Sequence, residues 1–223
     1  MKRIGWVGPF TAVALFALLY LPVFRHWLPE SGWARLPFSP QAFFLLASWI
    51  ILRVRRIGWG ELGLAGPRSV SRVGLGFTLG IIPAVLALAI GGILTWLNTR
   101  VSFLPMPIFG GTPFENGIET YDLVTLLLLA PVCEEIFFRG ILLRSLRETN
   151  PAWLSVIASA LIFMGGHGPL AAGPLVLGLI NGVIFLRTGS VLPGIVFHSI
   201  ANGYGPAMIA WFPNLYRYLA FLY

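Results

Sequence analysis

Long apolar runs cover most of this chain and restrict it to folds whose helices are surrounded by lipid or by one another. Its 223 residues are 57% hydrophobic and 10% charged, whereas a soluble domain carries about a quarter charged residues. Seven runs approach the length of about 20 residues that crosses a bilayer. They lie at 7–24, 39–52, 73–97, 121–143, 152–166, 170–186 and 190–212. The pattern predicts an all-α, polytopic membrane helix bundle with seven transmembrane helices, or eight if the aromatic segment 213–223 also crosses.

The runs follow one another without a change of composition, so we expect a single membrane-embedded domain over residues 1–223. No internal repeat is visible, which argues against a transporter built from two related halves. The stretch 98–120 contains several Pro and Gly residues and is predicted to be an irregular outer loop.

Basic residues give the chain a net charge of +7, but they flank apolar runs and do not form one stripe, so nucleic acid is not an expected partner. With the N-terminus in the cytoplasm, eleven of the fifteen fall on the inner side, as the positive-inside rule requires. These eleven are Lys2, Arg3, Arg53, Arg55, Arg56, Arg68, Arg72, Arg139, Arg144, Arg147 and Arg187. The sequence therefore predicts an integral membrane protein with a cytoplasmic N-terminus.

Two adjacent carboxylates, Glu134 and Glu135, interrupt the fourth run. A charge inside a membrane helix costs about 2.5–3.5 kcal/mol on insertion scales, so it needs a compensating role. Glu135 and Arg139 lie four residues apart on one helix face and can neutralise each other. Glu134 has no local partner and is therefore the candidate for proton transfer. A purely structural salt-bridge cluster is the alternative.

Later runs supply imidazoles and an amide. His167 follows two glycines, and His198 shares a helix face with Asn202, four residues on. At about 1.5 Å per residue, Glu134 and His198 reach nearly the same depth, whereas His167 is predicted to lie roughly 10 Å away from that level. Hydrogen bonds that only link membrane helices are the simpler alternative for these residues.

Together these groups fit hydrolysis. Glu134 could take a proton from a water held by His167, while His198 and Asn202 stabilise an oxyanion. A zinc ion held by Glu134, His167 and His198 would be a second way to activate water. A proton or ion pathway is a different class of function, but it would spread polar groups through the whole bilayer thickness.

At these residues the chain resembles the CPBP (Abi) family of intramembrane proteases, which includes the CAAX prenyl endopeptidases. The motifs EExxxR, FxxxH and HxxxN stand here as Glu134-Glu135 to Arg139, Phe163 to His167, and His198 to Asn202. The motif-bearing core spans about 121–205.

The resemblance implies an endopeptidase in a bacterial inner membrane that cleaves a membrane-anchored or lipid-modified protein. By the same resemblance, Glu134 and His167 activate water, Glu135 and Arg139 support them, and His198 with Asn202 forms the oxyanion site. The family has been described both as zinc-dependent and as metal-free, and we favour the metal-free form. A non-catalytic immunity or scaffold protein of the same fold is the alternative.

Overall fold

The fold is known from a computed structural model that describes residues 3–20, 39–64, 72–101, 119–167 and 172–212. These residues form helices and no strand, which confirms the all-α class. In chain order the helices are α1 (Val7–Tyr20), α2 (Pro40–Arg55), α3 (Val73–Val101), α4 (120–146), α5 (Ala152–His167), α6 (Ala172–Thr188) and α7 (Leu192–Trp211). A short 3-10 turn, Trp59–Leu62, lies between α2 and α3.

Each of the seven predicted runs overlaps one of these helices. Within the described ranges, the stretch Val73–Asn98 of α3 is long and apolar enough to cross a membrane, and three shorter apolar helices lie at Val7–Ala17, Ala152–His167 and Ala172–Thr188. The number of crossings stays a prediction. The segment 213–223 and most of the loop 98–120 lie outside the described residues.

Helix α4 is the centre of the bundle and packs against α1, α2, α5, α6 and α7. Nearly all its side chains from Ala130 to Leu146 are buried. Aromatic rings join it to its neighbours: Phe44 of α2 lies 4.8 Å from Phe137, and Phe138 lies 5.0 Å from Phe163 of α5. Ring packing of this kind fixes side-chain positions as well as burying area.

The backbone of α4 alternates between α and π geometry. Its segments are Thr120–Val124 (α), Thr125–Leu129 (π), Ala130–Glu135 (α), Ile136–Leu143 (π) and Arg144–Leu146 (α). At the first π segment the Ala130 amide donates to the Thr125 carbonyl, five residues back. Each π segment rotates the following residues relative to an α-helix, and such segments are frequent at functional sites.

Helix α3 packs mainly against α7, and only 11% of the most apolar window of α3 is buried. The two helices touch backbone to backbone at Gly76, where an added Cβ atom would overlap the Pro193 carbonyl oxygen. At Gly80 the same atom would lie 3.0 Å from Ile200. Small residues one turn apart allow membrane helices this close approach.

Polar bonds hold the ends of several helices together. Glu148, just after α4, accepts hydrogen bonds from the backbone amides of Ile4 (2.5 Å) and Gly5 (3.2 Å). Ser190 donates to the Gly63 carbonyl at 2.6 Å, which attaches the start of α7 to the turn after α2. These contacts gather the N-terminus and the ends of α2, α4 and α6 at one end of the bundle.

We predict that Gly76→Ala separates α3 from α7, because its Cβ atom has no room beside Pro193. Overpacking of this kind lowers the free energy of unfolding by about 1–3 kcal/mol. Unfolding of the purified protein in mild detergent measures the change. The matched control is Gly74→Ala on the same helix, where an added Cβ meets nothing within 4 Å; equal stability of the two variants would contradict this packing.

Candidate active site

Helix α4 places three ionisable side chains in the interior of the bundle. Glu134 is 6% exposed, Glu135 is 0% exposed and Arg139 is 1% exposed. Charges at such positions must be neutralised by partners, since desolvation of an isolated charge costs several kcal/mol. The partners come from α5 and α7 as well as from α4 itself.

Glu135 has a partner for each carboxylate oxygen. Its Oε2 lies 3.1 Å from Arg139 Nε, one turn along α4, and its Oε1 lies 2.8 Å from His198 Nδ1 on α7. The Glu135–Arg139 pair expected from the spacing is therefore present. From the sequence, His198 was a candidate for an oxyanion site, for a zinc ion, or for a hydrogen bond between helices with no partner named, so its contact with Glu135 was not expected. Glu135 thus links α4 to α7.

Glu134 faces two imidazoles. Its Oε2 lies 3.8 Å from His198 Nε2 and 4.0 Å from His167 Nε2. The predicted 10 Å offset of His167 from the level of Glu134 is wrong. That value assumed that the helices begin at the membrane surface and run perpendicular to it. Membrane helices tilt, so neither assumption holds in general. His167 is the most open member of the group, with 38% of its side chain exposed.

The proton positions on both rings follow from what their other nitrogens contact. His198 Nδ1 faces the Glu135 carboxylate, and His167 Nδ1 lies 3.0 Å from the Phe163 carbonyl oxygen. Both of these oxygens only accept hydrogen bonds, so each Nδ1 carries a proton. In the neutral rings, each Nε2 is then an acceptor directed toward Glu134. Three acceptors that converge in this way need a hydrogen donor among them, such as a water molecule or an added proton.

The Phe163 ring packs against Arg139 and both imidazoles. It lies 4.5 Å from His167 and 5.8 Å from His198, measured between centroids, and the Arg139 guanidinium carbon lies 4.6 Å from its centre. A cation over an aromatic face is stabilised by the ring quadrupole. Phe163 therefore contacts the site in two ways: its carbonyl orients His167, and its ring covers Arg139.

Asn202 donates to the Leu126 carbonyl oxygen at 2.8 Å. The reason lies in Pro131. In π geometry the Leu126 carbonyl would accept from residue 131, but proline has no N–H to donate. The Asn202 amide supplies the missing donor from α7. One of its two N–H groups is therefore engaged with the backbone of α4, and the predicted role at an oxyanion stays a prediction.

Asn181 on α6 is a further polar residue at the site, which the sequence motifs did not mark. It is fully buried and donates to the Gly194 carbonyl at 3.3 Å. A Cβ atom on Gly194 would lie 3.4 Å from Asn181 Oδ1 and 3.3 Å from Glu135 Oε2. The signal available in the sequence is a polar amide within an apolar run. The run alone does not show which helix face points inward.

The zinc ion considered from the sequence stays a prediction. In the part of the chain that the structure describes, no group of three or more His, Cys, Asp or Glu side chains has positions that could hold one. The zinc ligands considered from the sequence, Glu134, His167 and His198, do not form such a group.

Comparison with known proteins supports the motif assignment. Residues 116–204, which carry all three motifs, match the family model described as type II CAAX prenyl endopeptidase Rce1-like. This match confirms the resemblance to the CPBP and CAAX proteases, a family of membrane-embedded peptidases. No solved structure matches the chain.

Among curated proteins, the chain is 32% identical over 90 residues to a protein of Escherichia coli described as an uncharacterized 24.3 kDa protein. The alignment covers 37% of this chain and 42% of that relative. The chain thus spans less than half the length of the curated relative it matches.

We predict that the cost of Asn202→Leu depends on Pro131. Alone, the substitution leaves the Leu126 carbonyl without its donor and lowers the free energy of unfolding by about 1 kcal/mol or more. In a Pro131→Ala background the cost shrinks, because the alanine introduced there supplies a backbone N–H. Unfolding of the wild type, the two single variants and the double variant in detergent gives the coupling.

Ser199→Ala is the control for this cycle. Its hydroxyl bonds the Ile195 carbonyl of its own helix at 2.9 Å. Its cost should be the same in both backgrounds. Additive effects of Asn202→Leu and Pro131→Ala would contradict the proposed partner for Leu126.

Proposed function

We propose that the protein is an intramembrane endopeptidase that hydrolyses a peptide bond in a membrane-anchored or lipid-modified protein. The observation that carries this proposal is the position of Glu134, with two imidazole nitrogens at 3.8 and 4.0 Å from one carboxylate oxygen. The match of residues 116–204 to a peptidase family supports the same reaction class.

Water activation is assigned to Glu134 and His167. A water between them donates one hydrogen to the Glu134 carboxylate and the other to His167 Nε2, which leaves a lone pair of its oxygen free to attack a peptide carbonyl carbon. Glu134 takes the proton as the new C–O bond forms. The same carboxyl group then returns the proton to the leaving amide nitrogen as the C–N bond breaks. The exposure of His167 marks the side from which substrate reaches this water.

Oxyanion stabilisation is assigned to His198 and Asn202. Glu134, Glu135 and Arg139 together carry one net negative charge, so one proton added to His198 makes the buried set neutral. His198 then donates Nδ1–H to Glu135 and Nε2–H to the oxyanion. The second N–H of Asn202, beside the one bound to Leu126, is the other donor. Fixed donors in apolar surroundings stabilise developing charge more strongly than donors in water.

The cellular location is proposed from charge and family. The basic ends of α2, α4 and α6 lie together with the N-terminus at one end of the bundle, joined by the contacts of Glu148 and Ser190. We assign this end to the cytoplasm under the positive-inside rule. Because the curated relative is from Escherichia coli, we assign the protein to a bacterial inner membrane.

We predict that Glu134→Gln abolishes proteolysis while the protein still accumulates in the membrane. Removal of a general base lowers rates by about 10²–10⁴-fold. The measurement compares the new termini of membrane proteins, found by mass spectrometry, in cells that produce equal amounts of wild type or variant. No known substrate is needed for this comparison.

Two further comparisons sharpen the test. His167→Ala and His198→Ala should lose the same termini, whereas Cys133→Ala should keep them, since Cys133 is a buried neighbour with no part in proton transfer. Termini that persist in the Glu134→Gln cells would overturn the proposed function.

A further inference from the structure

We propose that the interior of the bundle holds a buried water molecule where α4, α6 and α7 meet, hydrogen-bonded to Glu135 Oε2 and Asn181 Oδ1. This site lies on the side of Glu135 that faces Arg139, whereas the water assigned to catalysis lies beside Glu134. The inference goes beyond the proposed function, because it concerns a water that belongs to the folded structure and takes no part in hydrolysis.

Several polar atoms in this region are buried and make no hydrogen bond within the described part of the chain. They are the acceptors Glu135 Oε2 and Asn181 Oδ1 and the donors Nη1 and Nη2 of Arg139. Glu135 and Asn181 are 0% exposed and Arg139 is 1% exposed, so bulk solvent does not reach them. Most buried side-chain polar atoms in folded proteins have a partner, and one left without a partner is costly.

The neighbouring polar groups do not supply the missing donor. Glu135 Oε2 lies 3.1 Å from Arg139 Nε, which pairs the two charges, but it accepts no well-directed hydrogen bond. Glu135 Oε1 faces His198 Nδ1 at 2.8 Å. Asn181 Nδ2 donates to the Gly194 carbonyl at 3.3 Å, which leaves Oδ1 on the other branch of the amide. Two acceptors remain, and neither can donate to the other.

Both acceptors lie close to one point beside α7. A Cβ atom placed on Gly194 would lie 3.3 Å from Glu135 Oε2 and 3.4 Å from Asn181 Oδ1, the two nearest atoms of the neighbouring helices. Because position 194 is glycine, no side-chain carbon separates them there. Arg139 Nη2 also faces α6, where a Cβ atom on Gly178 would lie 3.4 Å from it. Donors and acceptors without partners thus border the same junction of three helices.

Water is the molecule whose chemistry fits this junction. The charges of Glu135 and Arg139 cancel, so the ligand must be neutral. It must donate two hydrogens, one to Glu135 Oε2 and one to Asn181 Oδ1, and its oxygen can accept from the Arg139 guanidinium. It must also be small, because all of these atoms are buried. Buried waters make about three hydrogen bonds of this kind to polar groups that otherwise lack partners.

A crystal structure of the full chain, at a resolution that shows ordered water, tests the proposal. We expect a density peak within hydrogen-bonding distance of both Glu135 Oε2 and Asn181 Oδ1, and we expect it to disappear in Asn181→Leu, which lacks one acceptor. A wild-type structure in which both side chains are well ordered and no peak lies between them would overturn the proposal. A direct hydrogen bond from Asn181 Nδ2 to Glu135 would also overturn it.

Substitutions at Gly194 test the site in solution. Gly194→Ala and Gly194→Ser both displace the water, but the serine hydroxyl can donate to the same acceptors in its place. We therefore expect the alanine variant to unfold at the lower temperature in mild detergent, although alanine is the better helix former. The matched control is Gly203 on the same helix, where an added Cβ atom would meet Leu127 at 3.5 Å. At that position serine should be no more stable than alanine.

A Gly194→Ala variant that is at least as stable as Gly194→Ser would contradict the need for a donor beside Glu135 and Asn181. If neither Gly194 variant folds, the wild-type density alone decides. Both measurements are independent of proteolysis, so the water site and the proposed function can fail separately.

Discussion

The contact of Glu135 with both Arg139 and His198 is the interaction on which the rest of the site depends. Two carboxylates and a guanidinium in an apolar helix are tolerated only when each charge has a partner. Because one oxygen of Glu135 faces Arg139 and the other faces His198, the helix that carries the charges is joined to α7. That link brings His198 Nε2 to Glu134 and leaves Glu134 as the carboxylate free to exchange a proton.

The irregular backbone of α4 serves the same arrangement. π geometry at Thr125–Leu129, followed by Pro131, leaves the Leu126 carbonyl without a backbone donor, and Asn202 replaces it from α7. Non-helical hydrogen bonding at membrane depth is tolerated where protein side chains satisfy the freed groups. The two contacts between α4 and α7, at Glu135 and at Leu126, lie on either side of Glu134 along the chain and fix its surroundings.

Hydropathy and i, i+4 spacing predicted the helices and the motif residues, since both depend on local periodicity. The Glu135–Arg139 pair was predictable for that reason. Contacts between helices were not predictable from local periodicity. The distance from His167 to Glu134 depends on helix tilt, and the π segments rotate the residues that follow them in α4. Asn181 has no partner nearby in the sequence that marks it. The roles considered for His198, at an oxyanion, at a zinc ion or in a helix contact with no partner named, also missed its bond to Glu135, because a sequence separation of 63 residues carries no geometric information.

In the proposed mechanism, a water molecule activated by Glu134 attacks the peptide carbonyl directly. Cleavage in H₂¹⁸O, followed by mass spectrometry of the product and of the enzyme peptide containing Glu134, tests this most directly. We predict one ¹⁸O in each new C-terminal carboxyl group and no ¹⁸O in Glu134 after many turnovers. Accumulation of ¹⁸O in the Glu134 side chain, which requires a covalent bond between Glu134 and substrate, would contradict direct attack by water.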